Sequence, residues 1–234
     1  MIVTGVKPVG KGRYEIFLNE GSYPAFALYR RELKKYDIRE GEELSDDVRA
    51  GIYSEVLVKR AVLRLYHLIE SRDYTEKELR DRLKRGAYPL SVIDSAVEQL
   101  KAQGIVDDMD YALRYADCYI DRKSKKAVIQ ALVRKGVSQD VASDAVEKAC
   151  GERKAEDCYD ESEKIRRLLE KRHFDPKAAD SKEYNKQVTY LMGKGYNFRD
   201  IKKVIGKMRE GMAEIDEIAY MSESAEFNLL ETQY

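Results

Sequence analysis

Histidine and cysteine are scarce in this chain, and their scarcity removes most routes to chemistry. The two histidines, His67 and His173, lie far apart with no ligand-like neighbours. The three cysteines, Cys118, Cys150 and Cys158, are odd in number and lack framework spacing, as expected of a protein in a reducing cytosol. Only four prolines and no low-complexity run occur, which argues against disorder. The formal net charge is zero, so no global field draws the chain toward nucleic acid or membrane. The start has no apolar leader-like stretch and no segment approaches membrane-spanning length, so we expect a cytoplasmic protein with no membrane partner. No glycine-rich phosphate loop precedes a helix, because Gly10-Lys11-Gly12 falls in a strand turn. No nucleophile and base stand in a recognisable constellation, so the expectation is a protein that is not an enzyme and carries no cofactor and no metal.

What the chain has instead is a repeat. Leu79, Leu83, Gly86, Ile93, Val97 and Leu100 mark two short amphipathic helices. Val128, Leu132, Gly136, Ala142, Val146 and Ala149 repeat that pattern, and Gln187, Leu191, Gly195, Ile201, Ile205 and Met208 repeat it less regularly. Stacked copies build an extended surface rather than a pocket. Ahead of them, Ile2–Val6, Arg13–Leu18 and Tyr23–Leu28 alternate as short strands, with Asn19-Glu20-Gly21-Ser22 as a hairpin turn. Leu33 to Tyr36 and Asp46 to Ala50 read as short helical connectors, and a longer helix runs from near Ile52 to about Glu70.

The expected fold is mainly α: tandem three-helix repeats forming an elongated crescent, with a small N-terminal β-meander. The expected divisions are an N-terminal β-rich extension over 1–50, repeats over 51–104, 105–151 and 152–211, and an acidic tail over 212–234. No Lys or Arg follows Arg209, whereas Glu210, Glu214, Asp216, Glu217, Glu223, Glu226 and Glu231 do. The tail is therefore set to fold over a basic edge and compete with DNA.

Local signals punctuate the helices. Thr75-Glu76-Lys77-Glu78 has the form of a capping box. Gly86 is expected as a left-handed stop, with Ser91 capping the next helix and Gly104 ending it. Ser124, Gly136, Ser138 and Gly151 are expected to do the same in the second repeat, and Ser181, Gly195 and Asn197 in the third. Asp107-Asp108 holds a helix N-cap on one view, or a metal or catalytic carboxylate pair on another. Tyr111, Tyr115 and Tyr119 follow helical spacing, as core or groove packing or as base-stacking platforms.

Basic residues recur before the glycines: Lys84-Arg85, Arg134-Lys135 and Lys194. They complement helix C-termini, and stacking can align them into a stripe facing an anionic or filamentous partner. The densest run, Arg122-Lys123-Ser124-Lys125-Lys126, leads into a helix N-terminus, where positive charge opposes the dipole. A binding role accounts for that placement better than the Ser124 cap does.

The motifs Ser71-Arg72-Asp73-Tyr74-Thr75-Glu76-Lys77-Glu78-Leu79 and Gly104-Ile105-Val106-Asp107-Asp108, the latter followed by Tyr111-Ala112, then carry a resemblance. With Arg122, Ile129, Leu132, Lys135-Gly136 and Val137, they make the chain resemble the RecX regulatory proteins of bacteria over most of its length. The resemblance implies a modulator of RecA recombinase, and tandem units without a closing contact lead us to expect a monomer. Such a protein lies in the groove of the RecA–DNA filament and limits its growth, ATPase, strand exchange and coprotease action; it also binds single-stranded or double-stranded DNA weakly. No catalytic residue comes with it. The candidate contacts to RecA or DNA are Arg72, Arg85, Arg122, Lys123, Lys125, Lys126, Arg134, Lys135 and Lys194. Two rival functions are a DNA-binding regulator acting without RecA, which needs one base-reading helix, and a helical-repeat scaffold for another partner.

Overall fold

The structure, a computed structural model, describes residues 1–155 and 160–211; Cys158 and the acidic tail over 212–234 lie outside the described residues. Two compact units divide the chain, one comprising Met1–Ala112 with Leu132–Val141 and the other Leu113–Ala131 with the chain from Ala142 onward.

The first unit opens with an antiparallel meander of β1 (Val3–Gly10), β2 (Arg13–Leu18) and β3 (Phe26–Tyr29) in that order. Gly10, Lys11 and Gly12 make the first turn at φ 92°, 51° and 70°, where glycine carries two of the three left-handed positions. Asn19 and Glu20, at φ 47° and 56°, make the second. Ile16, Phe26 and Leu28 point inward and are buried. α1 (Arg30–Lys35) follows.

The connector expected at Asp46–Ala50 is not separate. α2 (Asp46–Gly51) runs through a wider, π-type stretch (Ile52–Val58) into α3 (Lys59–Ile69). Ser45 caps this helix by accepting from the Val48 amide at 3.3 Å, and Gly51 stays helical at φ −61°, ψ −44°, so nothing breaks the run. α4 (Glu76–Lys84) and α5 (Leu90–Ala102) complete the first repeat. Leu57, Ala61 and Leu65 recur on one helical face and pack in a common core with Leu79, Leu83, Ile93, Val97, Leu100 and the inward face of the meander. Each large side chain there is worth roughly 1.5–3 kcal/mol of burial.

The second repeat is α6 (Asp108–Tyr119), α7 (Lys125–Lys135) and α8 (Gln139–Ala155). The third is α9 (Glu161–Lys171), α10 (Ser181–Gly193) and α11 over 198–211. Ile165, Leu169, Val188, Leu191, Ile201 and Ile205 form a core within the second unit. The chain is thus mainly helical with a small N-terminal sheet, as its patterning predicts.

The glycine stops hold at Gly104, Gly136 and Gly195, at φ 69°, 103° and 89°. Gly86 is different: Ala87, at φ 55°, takes the left-handed position. Gly86 instead makes room, since a Cβ there would meet the Tyr88 ring at 2.9 Å. Ser91 is not a cap. Pro89 precedes the first helical residue, Leu90, and its extended backbone (φ −59°, ψ 150°) turns the chain into α5. Gly151 does not end α8, which runs on to Ala155. Asp180 rather than Ser181 caps α10, accepting from the Glu183 amide at 2.7 Å.

Candidate functional site

α4 starts at the expected capping box. The Thr75 hydroxyl accepts from the Glu78 amide at 3.2 Å, and the Glu78 carboxylate accepts from the Thr75 amide at 3.4 Å. The hydroxyl still has a proton to give, and it donates to the Lys135 carbonyl at 2.7 Å. Lys135 ends α7, so its carbonyl is one that the helix leaves without a partner. Beside it, Gly136 lies so close to α4 that a Cβ would fall 2.4 Å from the Lys77 Cβ. The next amide of α4, that of Glu76, donates to Asp108 Oδ1 at 2.8 Å. Asp107 meanwhile caps α6, accepting from the Met109 and Asp110 amides at 2.7 and 3.2 Å. The two adjacent carboxylates therefore cap two different helices.

The second unit repeats this joint with Ser124 for Thr75 and Glu161 for Asp108, but with Ala127 at the place of Glu78 and so without the reciprocal carboxylate. The Ser124 hydroxyl accepts from the Ala127 amide at 3.2 Å and donates to the Lys194 carbonyl at 2.9 Å. Gly195 abuts it, and a Cβ there would fall 2.5 Å from the Ser124 oxygen. The Lys125 amide donates to Glu161 Oε1 at 3.2 Å, as the Glu76 amide does to Asp108. Thr75 and Ser124 are wholly buried. A hydroxyl suits such a place because it donates and accepts at once.

Some of the candidate basic residues lie at these joints, and several stack on tyrosines. Arg72 and Lys135 approach the Glu78 carboxylate to 4.0 and 3.8 Å. Arg72 also stacks 4.1 Å over Tyr74, and Lys135 sits 5.8 Å over Tyr111. Lys123 lies 4.4 Å over Tyr119, and Lys194 lies 5.4 Å over Tyr190, which Arg172 also covers at 4.1 Å. Lys125 and Lys126 line a hollow with Met192, Tyr196 and Phe198. Arg122, Lys126 and Arg134 are exposed. Arg85 turns back along its own helix, donating from Nε to the Asp81 carbonyl at 3.2 Å. The supporting rings at Tyr74 and Tyr190 escaped the sequence reading, although Tyr190 and Lys194 stand four apart at the end of α10, the spacing that stacks side chains on a helix.

These contacts tune the charges. The Tyr74 hydroxyl holds Arg72 firmly protonated, and Arg72 in turn lowers the Tyr74 hydroxyl. Burial pushes the Tyr196 hydroxyl up to about 12, so it remains a neutral donor. Burial raises the Asp108 carboxyl. For Glu76, burial pushes up, but Arg80 and Lys101 together prevail and hold it low. Cations on aromatic faces are fixed in direction, each pair worth about 0.5–1 kcal/mol when exposed, and they suit an anionic surface. Among the described residues no group of three or more His, Cys, Asp and Glu is placed to hold a metal.

Family models for the first and third three-helix domains of RecX match residues 61–100 and 159–205. The regulatory protein RecX of Clostridium botulinum (strain Alaska E43) is 28% identical over 206 residues, covering 86% of this chain and 92% of the relative. That of Listeria monocytogenes serotype 4a is 25% identical, covering 82% of this chain and 69% of the relative. A crystal structure of a regulatory protein RecX superposes with a TM-score of 0.54 at 22% identity, over 87% of this chain and 98% of that one, and so shares the fold. The chain thus matches the first and third three-helix domains of RecX and is similar over most of its length to regulatory proteins named RecX.

Proposed function

We propose that this chain regulates the RecA recombinase without enzymatic chemistry, as a monomer in the cytoplasm. It lies in the groove of the RecA–DNA filament, binds DNA weakly, and limits filament growth, ATPase, strand exchange and coprotease action. The observation that carries this reading is the joint built twice from the same parts, Thr75–Lys135 and Ser124–Lys194, with oriented basic residues beside each. A filament presents its subunits at regular intervals, and regularly built joints present cations in the same manner. Likeness to regulatory proteins named RecX supports the same conclusion. Arg72, Arg85, Arg122, Lys123, Lys125, Lys126, Arg134, Lys135 and Lys194 are the proposed contacts. Limitation by occupancy needs only that the groove be filled, so no bond is made or broken. Titrating the protein into RecA ATPase and DNA strand-exchange reactions tests this. The expected result is a dose-dependent fall in both; unchanged rates at a large molar excess over RecA would overturn it.

A further inference from the structure

The first unit holds a second basic site, away from the joint, that the charge runs of the sequence do not reveal. Arg13 comes from β2, and Arg60 and Arg64 stand one turn apart on α3. With Tyr29, Tyr88 and the Gly86–Ala87 turn they line one small hollow. Arg60 is committed: it pairs with Glu32, donates to the Ala27 carbonyl at 3.1 Å and stacks 4.7 Å over Tyr29. Arg13 donates from Nη2 to the Gly86 carbonyl at 2.5 Å, which fixes its direction without neutralising it. Arg64 is exposed and has no ion pair among the described residues. One carboxylate thus stands against three guanidinium groups. Burial raises the Tyr88 hydroxyl while Arg60, Arg64 and Arg13 pull it back, so all three fields converge on one point.

We propose that this hollow binds a backbone phosphate of a nucleic-acid strand, held by Arg64 and Arg13 with Arg60 as their fixed neighbour. Guanidinium forks match phosphate oxygens, and two unneutralised arginines side by side are relieved by an anion. The hollow, about 30 Å³, admits a phosphate oxygen but no base. Further cations continue beyond it. The Arg30 amide donates to the Gly12 carbonyl at 3.0 Å, which brings the Lys11 turn beside Arg30, and Arg85 directly precedes Gly86. A row of cations serves a polymer of phosphates rather than a single ion. Tyr29, 43% exposed, lies beside the hollow within reach of a base of the same strand. The inference rests on the weak DNA binding proposed above, to which it gives a site, and it stands whether or not RecA is the partner; a parent chain that binds no oligonucleotide would sink that binding itself, whereas an unchanged Arg64→Ala would sink only this site.

The test is fluorescence anisotropy of a labelled single-stranded oligonucleotide with the full chain over a salt series. Arg64→Ala should weaken binding several-fold and flatten the slope of log K against log salt by about 0.7, the loss of one single-strand phosphate contact. Arg64→Lys should recover part of both. Arg39→Ala is the control, since Arg39 is exposed and paired with Asp37 at 2.6 Å, and it should match the parent. Inorganic phosphate, added at constant ionic strength, should fail to displace the oligonucleotide. An Arg64→Ala slope equal to that of the parent, or a loss equalled by Arg39→Ala, would overturn the proposal. Displacement of the oligonucleotide by inorganic phosphate would overturn the assignment to a strand in favour of a free anion.

Discussion

The Thr75 hydroxyl donates to the Lys135 carbonyl across 60 residues of sequence while accepting from its own helix at the Glu78 amide. Ser124 does the same toward Lys194 across 70 residues. At the matching place in the third repeat the cap is Asp180, exposed, whose carboxylate accepts and cannot donate. The two buried hydroxyl caps thus each join a second helix as well as their own, whereas the exposed carboxylate of Asp180 accepts from its own helix.

Thr75→Val should be costly, since it removes the cap and strands the half-buried Lys135 carbonyl together. A lost cap costs about 0.5–2 kcal/mol and an orphaned, fully buried acceptor about 1–3 kcal/mol; with this acceptor half-buried, a loss of about 1.5 kcal/mol or more, and below their sum of about 5 kcal/mol, is expected. Thr75→Ser keeps the hydroxyl and should lose less than half of that. Urea denaturation followed by circular dichroism measures both. Equal losses for the two variants would show that the methyl group, not the hydroxyl, holds the joint.

Gly136→Ala and Gly104→Ala should separate backbone strain from crowding. Both glycines are left-handed, at φ 103° and 69°, but only Gly136 faces another side chain, at 2.4 Å from the Lys77 Cβ. Gly104→Ala should cost about 1–2 kcal/mol, the price of a left-handed alanine. Gly136→Ala should cost clearly more, because the Lys77 Cβ is anchored to its helix and cannot swing away. Matched denaturation midpoints would mean that α4 shifts freely.

Much of this was legible in the chain, and the limits are physical. Capping boxes, glycine stops and apolar periodicity act within a few residues, so Thr75–Glu78, Gly104 and the Leu57–Ala61–Leu65 face could be read directly. The second bond of Thr75 and the partner of Asp108 could not, because those groups lie 60 and 32 residues away. Asp107 and Asp108 read as one motif, yet they cap separate helices. Gly86 looked like a stop because glycine has two uses, left-handed turning and close approach, and only packing shows that Tyr88 demands the second. The hollow at Arg13, Arg60 and Arg64 left no trace as a charge run, since its members come from a strand and from successive turns of a helix.

Asp108 should contribute a pH dependence of unusual sign for a carboxylate cap. Burial raises its carboxyl above the unfolded value of about 3.9. Its contribution to folding is then fully present below that value and is lost as pH rises through the raised folded value. Asp108→Asn retains an oxygen for the Glu76 amide and carries no charge. It should be neutral or slightly stabilising at pH 7 and remove this dependence, whereas Asp108→Ala should cost about 0.5–2 kcal/mol. Stability curves of the three proteins from pH 3 to pH 7, on the order of the carboxylate range, decide it. A loss for Asn equal to that for Ala would show that ionised Asp108 is required.

Arg122→Glu with Lys126→Glu tests the proposed filament contact most cleanly. Both side chains are exposed, and they flank the buried Ser124 cap without taking part in its bonds. Stability should therefore change by about 0.5 kcal/mol or less for each. The substitutions also relieve positive charge at the start of α7, where the dipole favours acids, so any stability change should be a gain. Binding to the RecA–DNA filament should fall far more than the loss of one surface ion pair explains, because reversal replaces attraction with repulsion. The concentration needed for half-inhibition of RecA ATPase should rise at least about tenfold, the equivalent of about 1.4 kcal/mol. If the contact is with phosphate, the salt slope of DNA binding flattens as well; if it is with acidic protein surface, DNA binding alone barely changes while inhibition falls. A double variant as inhibitory as the parent at equal concentration would remove this end of α7 from the interface.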